Sequence, residues 1–433
     1  MKKKEKHSFG IKGWWTIIFC GLLYYMMTGT SADGLNVMVP GFCELKGWDY
    51  STLLSFSTIA GLVGMIIAFL TARLITKKGA KFVIVLSCII AGAAFILYGY
   101  SSSMAMYLVT ICFACGFAYV YSFQATGPVI AKWFPRKRGI VMGYVTAFMP
   151  LASATFLYLL NWLIATFGFQ NGIAITGIMT IVLGIIGMFS IKNTPEEAGM
   201  LPDNMPMTEE AKKALKEESE NYVSPWTAKK LLKNKVVWCI ACAYGFMMLA
   251  NTGVISQLVP RITVDKGYTA GMATVMFSVA SLCGIVLSIA WGWLDTKIGT
   301  KKASFVMLIW FIISVVMNLI PNNTITLWIS IVMIGGDLGG TANFLVSMTT
   351  RIFGRRDFDA AYGIIYPIFS VIRTMAFAFV GFFTKYVNDI FGQKYAGAYI
   401  GLIIACVISM IFVSQIDYDK FLGHDTLRET ECF

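Results

Sequence analysis

Three long apolar stretches of the 433-residue chain each carry a formal charge well inside them: Asp33, Asp337 and Arg373. Arg373 interrupts GIIYPIFSVIRTMAFAFVGFF near its middle. An isolated guanidinium at the centre of a hydrocarbon layer costs about 2.5–3.5 kcal/mol on insertion scales, so such a charge faces protein or water and has a partner. The planar fork matches a carboxylate through two parallel N–H···O bonds, which makes Arg373 a candidate anion-binding residue. Asp337, in GGDLGGTANF, is the candidate partner. It lies 13 residues before Thr350, where its stretch ends, and Arg373 lies 13 residues after Ala360, where the next begins. At a rise of about 1.5 Å per residue, both sit roughly 20 Å from the same side. Two readings stay open. The pair is a permanent ion pair, or Arg373 faces a cavity and Asp337 holds it only when the site is empty, or receives a proton or a cationic group.

Helical spacing extends the patch. Tyr362, Tyr366, Phe369 and Phe377 share the face of Arg373, and Pro367 is a candidate kink. Thr341 falls on the face of Asp337. In CGFAYVYSFQATGP, the residues Tyr119, Phe123 and Gln124 are candidates to face Arg373 or to pack against each other. Asp33, in TSADGLNVMVP, lies nearer the opposite mouth, with Asn36 three residues on. Asp33 and Asp337 are the proton-coupling candidates; for Asp33 the alternative is a polar residue at the opening.

Such residues need a frame of membrane-crossing helices. Hydrophobic residues make up 57% of the chain and charged ones 13%, with mean hydropathy +0.70, whereas a soluble protein carries about 25% charged residues. Apolar stretches able to cross about 30 Å of hydrocarbon fall at 14–39, 51–73, 82–100, 104–130, 139–164, 172–191, 236–259, 270–294, 303–320, 325–350, 360–386 and 396–415. They predict an all-α polytopic membrane protein of twelve transmembrane helices. The first is too long for the apolar core of a signal peptide and lacks a small-residue cleavage site.

The net charge of +12 raises nucleic acid as a partner, but its distribution argues for a lipid bilayer. Lys and Arg gather at the N-terminus and in alternate loops: Arg73 to Lys81, Lys132 to Arg138, Lys297 to Lys302 and Arg351 to Arg356. The intervening loops hold only Lys46, Arg261, Lys266, Lys385 and Lys394. This positive-inside bias predicts that both termini and the 192–235 linker are cytoplasmic. Cys112/Cys115 and Cys239/Cys242 have CxxC spacing, yet lie in apolar spans, and the only histidines are His7 and His424; the cysteines read as packing residues. With no phosphate-binding loop, metal-ligand cluster or Ser/His/Asp arrangement, neither an enzyme nor a metal or cofactor is expected.

Two loop signatures recur. KKGAKF parallels KIGTKKASF, with Gly79 and Gly299 220 residues apart; KWFPRKRGIVMG parallels RIFGRRDFDAAYG, with Phe134 and Phe353 219 apart. Two pairs at one offset predict a six-plus-six duplication: an N-terminal bundle over 1–191, a linker over 192–235, and a C-terminal bundle with a short tail over 236–433. Transporters repeatedly use such a plan, with substrate near the midplane. In the linker, MTEEAKKALKEESE reads as a solvated helix. SPWTAKKLLKNK reads as a helix capped by Ser224, with Pro225 at its first position, lying on the membrane surface through Trp226, Leu231 and Leu232.

GWLDTKIGTKK resembles a loop of the major facilitator superfamily. AKWFPRKRGIVMG and IFGRRDFDAAYG resemble loops of that family's oxalate:formate antiporter and monocarboxylate transporter branches. The resemblance covers nearly the whole chain. It implies two pseudo-symmetric six-helix bundles, alternating access, a monomer, and a cavity lined mainly by spans 1, 2, 4, 5, 7, 8, 10 and 11. It marks Gly79, Lys81, Arg136, Arg138, Asp295, Gly299, Arg355 and Arg356 as conformational loop positions. The first-half loop lacks the acidic residue of the family motif, and Asp295 comes one position early. Oxalate antiporters of this branch use cations in spans eight and eleven. Here 270–293 has neither Arg nor Lys, and Arg373 lies about one turn beyond Phe369, where the family's lysine would fall. A single cavity cation favours a monoanion.

The expected function is secondary transport of a small organic anion, a monocarboxylate, by proton symport or anion exchange. The alternative is a zwitterion, an amino acid or betaine-like compound, with Asp337 and tyrosines taking its cation. A remote alternative is a ligand sensor that does not transport. The expected setting is the plasma (inner) membrane, multi-pass, with the substrate, a proton or counter-transported anion, and lipid as partners.

Overall fold

The computed structural model describes residues 9–205, 224–321, 323–387 and 390–416. In chain order the helices are α1 (Gly10–Thr28), α2 (Leu35–Lys46), α3 (Tyr50–Lys78), α4 (Ala80–Gly99), α5 (Met104–Tyr119), α6 (Ala125–Trp133), α7 (Arg138–Thr146), α8 (Phe148–Phe167) and α9 (Phe169–Ser190). After the linker come α10 (Ala228–Lys233), α11 (Lys235–Val264), α12 (Ala270–Ile298), α13 (Thr300–Leu319), α14 (Thr324–Tyr386) and α15 (Ala396–Ser414). Among the described residues there is no strand, only a bridge between Ile390 and Gln393.

Ten helical stretches of the described chain are long and apolar enough to cross a membrane. One of them, α14, is 63 residues long and breaks at Gly354 into arms over 324–353 and 355–386. A further rod is α1 continued into α2 through a π turn at Gly29–Asp33. The spans are therefore α1–α2, α3, α4, α5–α6, α7–α8, α9, α11, α12, α13, the two arms of α14, and α15. Numbered in that order they are spans one to twelve, six before the linker and six after it.

Most helices run past the apolar stretches that signal them, because polar caps rather than hydropathy set their ends. Asp49 Oδ2 accepts from the backbone N–H of Thr52 at 2.8 Å, Asn234 Oδ1 from that of Val236 at 2.9 Å and Asn323 Oδ1 from that of Thr326 at 3.1 Å. Each satisfies a donor that the first turn leaves open. Spans two and eight both stop at a glycine of positive φ, Gly79 at 84° and Gly299 at 85°, a backbone region that penalises a Cβ. The repeat at an offset of 220 is thus a repeat of geometry. Its second member uses two devices: Pro135 follows Phe134 in one half, whereas Gly354, at φ 69°, follows Phe353 in the other.

The linker departs from expectation. MTEEAKKALKEESE lies outside the described residues. Ser224 is not the cap of the second linker helix: its Oγ accepts from Trp226 N at 3.2 Å, and α10 starts beneath Thr227, whose Oγ1 accepts from Lys230 N at 3.4 Å. Nor do its apolar residues all point outward to lipid. Trp226 meets Phe353 edge-on at 5.4 Å and Leu231 is buried, so α10 docks on the break between spans ten and eleven; only Leu232 is exposed.

The two sets of six spans meet closely where spans five and eight cross. A Cβ on Gly292 would lie 2.8 Å from Gly143 Cα, so only glycines allow this backbone approach, the small-residue packing typical of helices in lipid.

Candidate functional site

Span eleven turns an aromatic ladder toward span four. Phe358, Tyr362, Tyr366 and Phe369 follow each other with ring centroids 4.8, 5.6 and 5.8 Å apart. Span four meets them with a π turn over Val120–Gln124, a distortion that recurs at functional sites. Tyr362 Oη donates to Phe123 O at 3.1 Å, and Tyr366 Oη to Tyr119 O at 3.4 Å. Beyond the last rung, Arg373 lays its guanidinium on the Tyr119 ring, 4.0 Å from the centroid, and lies 5.8 Å from that of Phe123. It makes no hydrogen bond or ion pair with any described residue. A small cavity opens beside it between spans two, four and eleven, lined by Gly61, Gly64, Ala68, Gly116, Tyr119, Tyr366, Ser370 and Arg373.

Asp337 is elsewhere. It is completely buried, and neither carboxylate oxygen has a partner among the described residues. The glycines beside it press span ten on span eight: a Cβ on Gly335 would lie 2.1 Å from Ala280 O, and one on Gly339 would overlap Ser288. Thr341, one turn along, is buried and donates to Met248 Sδ on span seven at 3.1 Å. No Asp337–Arg373 ion pair joins described residues. Equal depth brought the two to one level, but rotation about the helix axes separates them, one within the second set of spans and the other between the sets.

The remaining candidates divide similarly. Tyr119, Tyr366 and Arg373 line the cavity, with Tyr362 one turn away, whereas Gln124 is committed to packing. Its Nε2 donates to Ala68 O at 2.7 Å and its Oε1 accepts from Thr71 Oγ1 at 3.1 Å, tying span four to span two. Phe369 is buried in the ladder. Asp33 ends the π turn of span one, half-buried, with Oδ2 lacking a partner.

The loop-motif residues assemble at the end of the molecule that carries the basic loops. Arg138 Nε donates to Ser347 O at 3.1 Å, and Ile140 N to Thr296 Oγ1 at 3.1 Å. Asp295 lies against Gly139, Gly299 against Arg351, and Lys81 N donates to Asn193 Oδ1 at 2.9 Å beside Gly79. Arg355 pairs with Glu196 at 2.5 Å. Two features had no counterpart in the sequence reading. Lys132 pairs with Asp359 at 2.6 Å across the sets, and Asp203 accepts from the backbone N–H groups of Arg136 and Lys137, each at 3.1 Å. Burial pushes the Asp203 carboxyl above its ordinary range, and those two N–H groups oppose the shift. The hydrogen bonds named here between the two sets lie at this end or at the level of Tyr119 and Tyr366. The contact face is latched at the basic end.

Arg261 corrects the sequence reading more directly. It is not a loop charge but a fully buried residue of span seven, paired with Asp265 at 2.9 Å. Its Nη2 donates to Gln393 Oε1 at 2.7 Å and to Asn318 O at 3.0 Å, its Nε donates to Asn318 Oδ1, and its face lies on Tyr399 at 4.4 Å. The four-residue spacing of Arg261 and Asp265 was the available signal.

A sequence profile of the Major Facilitator Superfamily matches residues 17–371, and again 240–420. The chain belongs to that superfamily. Among its relatives is an uncharacterized MFS-type transporter, YhjX, of Escherichia coli strain K12, 24% identical over 69% of this chain and 71% of its own length. A hexose-6-phosphate:phosphate antiporter of Salmonella typhimurium is 26% identical over 58% of this chain but only 55% of its own length. Monocarboxylate transporter 13 of Rattus norvegicus is 21% identical over 69% of this chain and 66% of its length. Among solved structures, the proton:xylose symporter XylE superposes with a TM-score of 0.72 at 11% identity, covering 92% of this chain and 95% of its own. The human organic anion transporter MFSD10 gives 0.66 at 13% identity, with coverage of 92% and 97%. The likeness shows the fold, and the family makes this chain a multi-pass membrane transporter rather than an enzyme.

Proposed function

We infer that this transporter carries a small organic anion, a monocarboxylate, and binds its carboxylate through Arg373. The observation that carries this reading is a guanidinium whose N–H fork is unfilled, beside a cavity at the contact between the two sets of spans. Stacking on Tyr119 orients the plane and leaves the edge available for a bidentate partner. Relatives named for hexose phosphates and monocarboxylates, and a structural neighbour named for organic anions, support an anionic cargo. Within the superfamily, the loop motifs favour the branches that include monocarboxylate transporters. The bundles run over 1–191 and 236–433, joined by the linker over 192–235, and the protein acts as a monomer. The basic end is cytoplasmic, as the positive-inside rule requires; the protein then lies in the plasma (inner) membrane with both termini inside, closed to the cytoplasm.

The test is a thermal-shift panel on the purified protein: monocarboxylates, dicarboxylates, sugar phosphates and zwitterions, each against wild type and Arg373→Gln. A ligand at 100 times its dissociation constant stabilises the folded state by about 2.7 kcal/mol. The expected result is a shift with monocarboxylates that Arg373→Gln abolishes, followed by counterflow of the same compound in liposomes. A shift confined to zwitterions or sugar phosphates, or one that persists in Arg373→Gln, overturns the reading.

A further inference from the structure

The carboxyl group of Asp337 has no part in the anion site, yet it is fully buried and both its oxygens lack partners among the described residues. An ionised carboxylate left so is strongly disfavoured in a low-dielectric interior. The group needs a neutralising cation. A metal ion needs several oxygen ligands, and the described residues offer no cluster of three acidic, histidine or cysteine side chains. Around Asp337 stand glycines at 335, 336, 339 and 340, with Met248 and Thr341 one turn away. A proton needs one oxygen only.

We propose that Asp337 is a proton-binding site inside the second set of spans, separate from the anion site, and that span seven links the two. Among the described residues, its titratable surroundings include no second acid. Span seven brings Tyr244, bonded to Ser304, span eight brings Cys283, and span twelve brings Tyr399 and Cys406. Span nine carries Lys301 and Lys302 only at its basic end, and on span eleven Tyr362, Tyr366 and Arg373 are turned to span four. One further polar group is unmatched: Nδ2 of buried Asn251 has no partner. Spans seven and ten run in opposite directions, so Asn251, one turn outward from Met248, stands level with Asp337, one turn outward from Thr341.

The link to Arg373 is contact. Met248 takes the hydroxyl of Thr341 on one side of span seven. Gly245, three residues earlier, packs so tightly on Ile372, the neighbour of Arg373, that a Cβ there would lie 2.9 Å from Ile372 Cβ. A shift of span seven on protonation therefore bears on span eleven beside the anion site. The proton site stands by itself; its coupling to transport rests on the anion reading.

The two parts are tested separately. Infrared spectra of the purified full-length protein at pH 7 should show the C=O stretch of a protonated carboxylic acid that Asp337→Asn removes, Asp337→Glu displaces and Asp33→Asn leaves in place. Absence of that band from wild type, or its survival in Asp337→Asn, overturns the site. Stabilisation of wild type by sodium, but not by choline at equal ionic strength, overturns the proton in favour of a metal ion. In proteoliposomes, with radiolabelled lactate as the probe, Asp337→Asn should keep counterflow and lose accumulation driven by a pH gradient. Gradient-driven accumulation equal to wild type overturns the coupling. Failure of wild type to carry lactate counts against the anion reading and leaves the infrared result standing.

Discussion

Two arginines inside the spans of this molecule, Arg261 fully buried and Arg373 half-buried, look alike from one side only. Arg261 and Arg373 each lay the guanidinium plane on a tyrosine ring, at 4.4 Å on Tyr399 and 4.0 Å on Tyr119. They differ at the edge of the plane. The N–H fork of Arg261 is filled by Asp265, Asn318 and Gln393, whereas that of Arg373 meets no described residue. A buried guanidinium whose own donors are matched rigidifies its surroundings, and here only Nδ2 of Asn318 among the named partners lacks an acceptor in the described residues. An unmatched charge beside a cavity leaves a stabilising interaction for a ligand to supply. Burial of a charge does not by itself mark a binding site; an unfilled donor set beside a cavity does.

The largest effect should come from breaking the filled fork. Arg261→Met leaves Asp265 buried without its cation and strands the Asn318 and Gln393 side chains, which should lower stability by about 3–5 kcal/mol. Thermal unfolding of the purified protein measures it. The double change Arg261→Met with Asp265→Leu should recover part of the loss, and only part, because Asp265 also accepts from the backbone N–H groups of Lys394 and Tyr395 at 2.8 and 2.9 Å.

Breaking the other arginine should move stability little and function much. Arg373→Gln removes a cation–π contact worth about 1 kcal/mol, so its melting temperature should stay near that of wild type while ligand stabilisation disappears. Arg373→Lys keeps a charge but loses the fork, and should retain weakened ligand stabilisation. If Arg373→Gln melted as early as Arg261→Met, the contrast would collapse and Arg373 would be a structural residue.

The frame was legible because hydropathy, basic-loop spacing and the doubled loop motifs are local signals, each written in consecutive residues. Gly79 and Gly299 could be matched from sequence because both fill the same positive-φ position. The candidate site was legible in half. Arg373, Tyr366 and Tyr119 follow from a charge in an apolar span and from helical spacing. Depth along a helix can be counted in residues, but the direction a residue faces depends on which neighbour its helix packs against. The glycines of span ten press on span eight, and that contact turns Asp337 away from Arg373. Gln124 was lost for a related reason: its amide satisfies Ala68 O and Thr71, partners 56 and 53 residues away. Arg261 was read as a loop charge because hydropathy fades five residues before span seven ends at Val264.

The smallest expected effect sharpens the comparison at its filled end. Lys266, just beyond span seven, donates to Ile320 O at 2.8 Å. Burial, and then the charge of Arg261, pulls its ammonium from the ordinary value of 10.5 down to about 8, against the opposing pull of Asp265. A folded-state value below the unfolded one means that the unfolded chain holds more protons between pH 8 and 10.5, so over that window this group makes stability rise with pH. Below pH 8 its penalty is complete and constant. Melting temperatures taken across pH 7 to 10.5 should show a shallow upward contribution that Lys266→Gln removes. Solvent screening of a half-exposed side chain keeps it small. Arg261→Met should weaken the same slope by withdrawing the nearby positive charge. A slope unchanged in Lys266→Gln would mean that neither burial nor the charge of Arg261 shifts this ammonium. A slope lost in Lys266→Gln but kept in Arg261→Met would mean that the Arg261 cation is neutralised by Asp265 and projects no field to Lys266.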